Sequence, residues 1–515
     1  MGRAMRARFL PYMLVLLAAW TPWLVLVWPG SMRDDTLAQY LQSAGIHRYY
    51  TQHPLFDTLV FGLFWRTGAA FGSPLAGEAL YTLVQVLALA AGSAFLLCYI
   101  RKIGVPRWLR ALGLVYLATS YVVVGSIATM GKDSLHTVFF LPAAVLFTEV
   151  CRTRGRVLRR MPVAVAFTLL LFAVVASKRT ALVIVLCAGV CMLFVCRGTG
   201  RANRHQPAVC LVAAIVLAQG VFAPLATAAT HANVSPGREV WGLVTQPVAQ
   251  VAHDDPSAIT PDQRRTLEKV MDLDRAAANI NRHRTNETFA TLRTGHGKAT
   301  SSGASGDAAP SASDKLAALG VWARLGLAHP DEYVKAYAGP IRGWWDPTVN
   351  FAYPTDSDYL LRPGYLRQWA SFVDPSTART PQARLKAITR DLTPLMGTSD
   401  RPEWKRDALR AVRDWVRPQA RDPQASNPLT AMALYVTWMP SAIGVALAVR
   451  WVRRRRTSGS AASVAGAHLA AYALLFFTVL SLYASPEALF WYPIPVFFSL
   501  PLFAALPFAD APCRA

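Results

Sequence analysis

Apolar runs recur along this chain at 10–28, 79–100, 109–128, 135–150, 162–177, 180–196, 207–226, 429–449, 465–484 and 491–508. A helix crosses a hydrocarbon core of ~30 Å in about 20 residues, so the pattern predicts an all-α integral membrane protein with ten spans. Several runs are short, which points to tilted or partly re-entrant segments. A further apolar stretch, 55–72, places Phe56, Leu59, Val60, Leu63 and Phe64 at helical spacing beside Arg66. A crossing there would invert the charge of every later loop, so it is expected to lie along the outer interface, with Arg66 snorkelling to water. No small-x-small cleavage site precedes Pro29, and the first run is therefore expected to stay as a span.

Between the seventh and eighth runs the composition turns polar. The expected organisation is an N-terminal transmembrane module over 1–226, with a first outer loop at 29–78, then an exterior, mainly helical domain over 227–428, then C-terminal transmembrane helices over 429–515. Thr260-Pro261-Asp262-Gln263 reads as an N-cap followed by proline at the first helical position. Leu316, Leu319, Val321, Trp322, Leu325 and Leu327 form a second helical run, and Asp331 opens a third. Residues 297–314 are rich in Gly, Ala and Ser without apolar periodicity and are expected to form a disordered loop.

The net charge of +23, from 53 Lys and Arg against 30 Asp and Glu, would suit a nucleic-acid partner if it were gathered on one module. It is instead divided among the loops between spans: Arg3, Arg6 and Arg8; Arg101, Lys102, Arg107 and Arg110; Arg152 to Arg160; Arg197, Arg201 and Arg204; Arg450 and Arg453 to Arg456. With alternating spans all of these share one side, which the positive-inside rule makes cytoplasmic. The bilayer is thus the partner and nucleic acid is not. The amino terminus falls inside, and both 29–78 and 227–428 fall outside. Six of the seven cysteines sit in or near spans and none in the outer segments, so disulfides are not expected to hold the exterior domain.

Candidate chemistry lies at the outer membrane edge. Asp34 and Asp35 follow the first span by a few residues, and ionised groups near hydrocarbon tend to persist where they serve a polar site. Like-charge repulsion would raise the pKa of one and make it a better base. The alternative is that they cap the helix beginning near Thr36. Lys132, Lys178 and Arg179 stand at predicted outer ends of spans, against the charge trend, and would suit a phosphate; snorkelling, or balance with Asp133, is the plainer reading. His53, in the first outer loop, could orient phosphate or base. Glu487 could contact acceptor or sugar, and Trp344, Trp345 and Tyr353 could stack on one, although clustered aromatics also serve as core. Two adjacent aspartates without a third acid do not make a metal site, so none is assigned. No cofactor is identified; a divalent cation is compatible with the pattern and not required by it.

Several blocks together resemble multi-pass bacterial proteins of the GT-C glycosyltransferase superfamily: Pro29-Gly30 with Asp35-Thr36 and Gln39-Tyr40, His53-Pro54, Gly131-Lys132-Asp133, Ser177-Lys178-Arg179-Thr180, Gln246-Pro247 through Leu273-Asp274, and Trp322 through Trp344-Trp345. The chain departs from that pattern at Phe490-Trp491-Tyr492-Pro493, where such proteins tend to show an Arg-Tyr pair, so Tyr492 stands without the phosphate-binding arginine. The resemblance implies a GT-C-like helix bundle. It also implies transfer of a monosaccharide from a polyprenyl-phosphate donor to a glycan or glycolipid acceptor on the exterior face. In that scheme Asp35 is the base with Asp34 as helper or competitor, Lys178, Arg179, Lys132 and His53 hold the donor phosphate, and Asp133, Glu487, Tyr492, Trp344 and Trp345 contact substrate. The rival readings are a transporter or flippase of lipid-linked sugars and a non-catalytic cell-envelope assembly protein.

Overall fold

The computed structural model describes residues 3–197, 201–235, 237–293, 309–349, 363–370, 378–392, 395, 402–417, 427–455 and 459–509. They fall into two compact units, one formed by Met1–Val234, Asn350–Val479 and Phe490–Ala515, the other by Ser235–Val349 and Leu480–Leu489. Nearly all regular structure is helical.

The first unit begins with α1 (Arg3–Val27), α2 (Asp34–Ser43), α3 (Leu55–Ala70), α4 (Pro74–Lys102), α5 (Arg107–Thr119), α6 (Tyr121–Val124), α7 (Lys132–Thr153), α8 (Met161–Ser177) and α9 (Ala181–Cys196). Then α10 (Arg201–Ile215) runs through a π-helical turn into α11 (Ala223–Thr230). Five helical segments are long and apolar enough to cross a membrane: Arg8–Val27, Pro74–Lys102, Lys132–Thr153, His205–Thr230 and Val464–Leu482. Shorter apolar helices occupy Met161–Ser177, Ala181–Cys196 and Ile494–Phe508. Leu83, Val84 and Leu87 on α4, Leu169 on α8, and Val183, Leu186 and Val190 on α9 are left exposed. Such side chains suit lipid better than water.

Two expectations are corrected here. The run 109–128 is not one helix: α5 stops at Ser120, whose backbone is extended, and after α6 the chain straightens into the strand Thr129–Met130. Nor does 55–72 lie alone on an interface. Helix α3 doubles back against α4, because neither Gly68 nor Gly77 has a side chain to hold the backbones apart; a Cβ on Gly77 would stand 2.2 Å from the Phe64 carbonyl oxygen. Phe61 and Phe64 meet the Tyr81 ring edge-on, and the buried face is Leu55, Asp57, Thr58, Phe61, Gly62, Trp65 and Gly68.

The second unit is built on α12 (Arg238–Asp254), α13 (Pro261–Glu268), α14 (Leu273–Ala278), α15 (Asn286–Phe289), α16 (Ala312–Ala328), α17 (Pro330–Ala338) and α18 (Arg342–Trp345). Val248, Val251, Leu267, Met271, Leu273, Val321 and Leu325 share its core. The expected capping box at Thr260 and Gln263 is present. The expected loop 297–314 falls outside the described residues up to 308, but its end is ordered: Ser311 and Asp314 make a reciprocal capping box, and α16 starts at Ala312.

The chain then returns to the first unit with α19 (Pro363–Ala370), α20 (Pro381–Leu392), α21 (Glu403–Val416), α22 (Met439–Arg455), α23 (Gly459–Leu482), whose last residues count with the second unit, and α24 (Ile494–Ala505). Ala370, Ile388 and Leu392 pack with Leu37, Leu41, Phe61 and Trp65, so α19 and α20 cover α2 and α3.

The two ends of the first unit's bundle differ in chemistry. Arg101 and Lys102 end α4, Arg152 lies in the last turn of α7, and Arg159 and Arg160 precede α8. These ends meet: Lys102 and Arg152 both pair with Glu149, and the Arg152 Nε donates to His468 Nε2 on α23 at 3.2 Å. Opposite them, Lys132 opens α7 and Lys178 follows α8. From Gln85, beside that second end, to Lys102 the helix rises about 25 Å, close to a hydrocarbon thickness.

Candidate functional site

The site is set by a clamp between the chain before α2 and the chain before α7. Gly30 has φ +146, and a Cβ there would lie 2.5 Å from Thr82 Oγ1, so only glycine permits the turn out of α1 against α4. The following residues form a short parallel pair, Ser31 with Thr129 and Met32 with Met130. Four further bonds hold it. Ser31 and Thr129 hydroxyls lie 3.1 Å apart, Thr36 Oγ1 donates to the Met130 carbonyl, and Gln85 Nε2 donates to the carbonyls of Ile127 and Thr129. The clamp places the first turns of α2 and α7 side by side, and with them Asp35 and Lys132.

A row of alternating charges runs from there. Lys132 Nζ is 2.5 Å from Asp35 Oδ2, and His53 Nε2 is 3.8 Å from Asp35 Oδ1. Next to Lys132, Asp133 receives a hydrogen bond from Lys178 Nζ at 2.6 Å, and the same ammonium donates to the Tyr492 carbonyl at 3.1 Å. Lys132 also sits 5.9 Å from the centre of the Tyr492 ring. Arg179 donates to the Thr51 carbonyl and adds its positive field to His53. Acids from two helix N-termini and cations from two helix ends thus converge, although Asp35 and Lys132 are 97 residues apart in sequence.

The electrostatics overturn one expectation. Burial works to raise the Asp35 carboxyl, but the Lys132 ammonium and, behind it, His53 outweigh this and hold it well below the usual carboxylate range. Repulsion from Asp34 was expected to do the reverse. The Asp34 side chain lies outside the described residues. Asp35 is not the N-cap of α2, which is Arg33, but it lies in that helix's first turn, where negative charge is favourable, and its carboxylate is paired with Lys132, with His53 3.8 Å away. The His53 imidazole is brought down to about 4, first by burial, with Lys132 and Arg179 adding to this against the pull of Asp35.

Other expected residues are placed elsewhere. Glu487, Trp344 and Trp345 belong to the second unit. Trp344 is fully buried and its ring N–H donates to the Leu482 carbonyl, so it packs that unit and offers no face to a sugar. Trp345 is exposed, and Glu487 is a half-buried acid raised by burial against the pull of Arg284. Tyr353 lies outside the described residues. Among the described residues no group of three or more His, Cys, Asp and Glu converges as a metal site.

Two residues at the cluster escaped sequence reasoning. Arg33 is buried and sits 4.8 Å from the centre of the Trp491 ring; its place beside Asp34-Asp35 was the available signal. Asp57, in the first turn of α3, is completely buried. A lone acid in an otherwise apolar helix could have marked it.

Residues 36–458 match the profile of a family of unknown function, DUF6020. The chain belongs to that family. The DUF6020 match takes in His53, Asp57, Lys132, Asp133, Lys178 and Arg179 and begins immediately after Asp35. No curated protein and no solved structure matches the chain.

Proposed function

We propose that this DUF6020 protein is a membrane glycosyltransferase of GT-C type, moving a monosaccharide from a polyprenyl-phosphate donor to a glycan or glycolipid acceptor. The observation that carries the reading is the row His53, Asp35, Lys132, Asp133, Lys178 at the bundle end opposite the arginine-rich one. By the positive-inside rule the arginine-rich end is cytoplasmic, which puts the row at the exterior headgroup level, where a lipid-linked phosphate would lie.

Glycosyl transfer needs a base at the acceptor hydroxyl and positive charge at the departing phosphate. In the row both are present but tied to one another. A donor phosphate drawing Lys132 to itself would release Asp35, whose basicity then rises because the ammonium that held it down is shared with the phosphate. Asp35 takes the acceptor proton as the acceptor oxygen bonds to the anomeric carbon. The bond from that carbon to the phosphate oxygen breaks, and its electron pair stays on the phosphate, beside Lys132 and Lys178. Tyr492 and Arg179 stand beside the row, Tyr492 against both lysines and Arg179 within the field of His53.

A transporter of lipid-linked sugars would rather hold its ionisable groups near the bilayer midplane; here they stand at helix ends. The test is purified protein in nanodiscs with a panel of polyprenyl-phosphate monosaccharides and a membrane glycolipid extract, reading release of polyprenyl phosphate. Wild type should release it, and Asp35→Asn should lower the rate by about 10²- to 10⁴-fold while remaining inserted. Undiminished release by Asp35→Asn removes the base, and movement of intact donor across the bilayer without cleavage favours the transporter.

A further inference from the structure

The charge row balances without Asp57: Lys132 pairs with Asp35, and Lys178 pairs with Asp133. Asp57 is a surplus acid, wholly buried, and neither of its oxygens has a hydrogen-bond partner. The facing charged and titratable groups are Lys132 and Asp133 on α7, Lys178 after α8, and Tyr81 on α4. On its other side the preceding residue, Phe56, packs edge-on against Phe139, Phe172 and Phe222. An ionised carboxylate enclosed this way, with no donor to hold it, is far costlier than a neutral acid. Burial accordingly pushes the Asp57 carboxyl well above the usual range, and Asp133 adds to it against the two lysines.

A neutral acid explains its own charge state but not its unmet hydrogen bonds. Buried polar groups are nearly always partnered, and an orphan carboxyl lying within the field of Lys132 and Lys178 points to a partner that arrives with a ligand. That partner accepts a proton in a hydrogen bond and sits where Lys132 and Lys178 act, which is the chemistry of a phosphate. Resting on the glycosyltransferase reading, we infer that Asp57 is a further substrate-contacting residue, a protonated carboxylic acid that donates a hydrogen bond to the donor's phosphate as that group leaves. An ionised Asp57 would instead repel the phosphate, so the proton is what allows an acid to stand there.

The probe is a polyprenyl monophosphate, titrated onto the full chain in nanodiscs across a pH series, with polyprenol as the phosphate-free control. Infrared difference spectra of aspartate-labelled protein should show a protonated carboxyl band at neutral pH that is absent from Asp57→Asn and shifts when polyprenyl phosphate is added. Wild-type affinity should fall at alkaline pH as Asp57 ionises. Asp57→Leu should weaken binding about ten- to a hundredfold, the worth of one hydrogen bond to a charged group. Asp57→Asn, which restores a donor without a charge, should lose less and should lose the alkaline fall. An absent band, an unchanged alkaline fall in Asp57→Asn, or polyprenol binding with the same dependence on Asp57 overturns the inference while leaving the glycosyltransferase reading standing. Failure of wild type to bind polyprenyl phosphate at any pH overturns both.

Discussion

His53 gives the sharpest test of the cluster's electrostatics, because two opposite outcomes are open to a histidine beside an aspartate. An imidazole bonded to Asp35 as an ion pair would bind its proton more tightly than a free histidine. The structure places the two 3.8 Å apart, beyond a hydrogen bond, with His53 only 8% exposed and its pKa brought from an ordinary 6.5 to about 4. The unfolded chain then binds the proton that the folded chain refuses. Stability due to this group is full above about pH 6.5, declines as pH falls, and is lost by about 3 kcal/mol once pH passes below about 4. By about pH 5 the loss should already be about 2 kcal/mol. Asp35 does not confuse the window: its carboxyl is lowered, so the stability it contributes is lost only below its unfolded pKa near 3.8. Thermal unfolding in nanodiscs from about pH 7.5 to about pH 5, compared between wild type and His53→Asn, should show a destabilisation of about 2 kcal/mol in wild type that the variant lacks. Imidazole ¹⁵N shifts of the signal missing from His53→Asn should stay those of the neutral ring throughout. Equal pH dependence in the two proteins, or a wild type that grows more stable as pH falls, would refute the reasoning.

The other tests address pairing and packing. Asp133 and Lys178 have side chains 1% and 14% exposed, so Lys178→Met strands a buried carboxylate and should destabilise the protein by about 3–5 kcal/mol, whereas adding Asp133→Asn should restore most of it; a thermal double-mutant cycle reads the difference, and simple additivity would argue against a coupled pair. Gly77→Ala puts a methyl group into the Phe64 backbone of α3, and because that contact is carbonyl rather than side chain it should cost about 1–3 kcal/mol and also shift the Asp57 infrared band. An unaltered melting temperature would mean that α3 and α4 are not pressed together.

Much of the scaffold was legible because hydropathy and helix termini are local. The apolar runs 162–177 and 180–196 correspond to the helices α8 (Met161–Ser177) and α9 (Ala181–Cys196), both shorter than a full span, which leaves Lys178 and Arg179 in the turn between them. The start of α13 followed from Thr260, Pro261 and Gln263. What failed was of two kinds. A window average cannot see a backbone break that costs no hydropathy, and Ser120, followed by Tyr121 and three valines, is such a break. Nor does local pattern report who pairs with whom. Lys132 was legible as a cation in an odd place, but its bond to Asp35 depends on Gly30, Thr36 and Gln85 fixing two distant loops, and the lowered Asp35 carboxyl follows chiefly from that pairing, with His53 adding to it. Asp57 is not legible as a buried acid because the hydropathy of 55–72 says nothing of which face of α3 is buried, and Asp57 lies on that face.

The two lysines of the row are not equivalent, and their difference bears on what the row is for. Paired charges out of water seldom stabilise a fold over apolar side chains of the same size. A bundle selected for stability alone would therefore carry neither pair. Lys178 is locked: its partner Asp133 is almost wholly enclosed, and the ammonium is held a second time by the Tyr492 carbonyl. Lys132 is held by a carboxylate whose side chain is 35% exposed, so a ligand can reach that pair in a way that it cannot reach the enclosed Asp133. An arriving anion would find one cation whose pair it can reach and another that keeps its place. That division suits a site in which Lys178 sets the position of a phosphate and Lys132 exchanges partners with it, so that binding of the donor and release of the base are the same event.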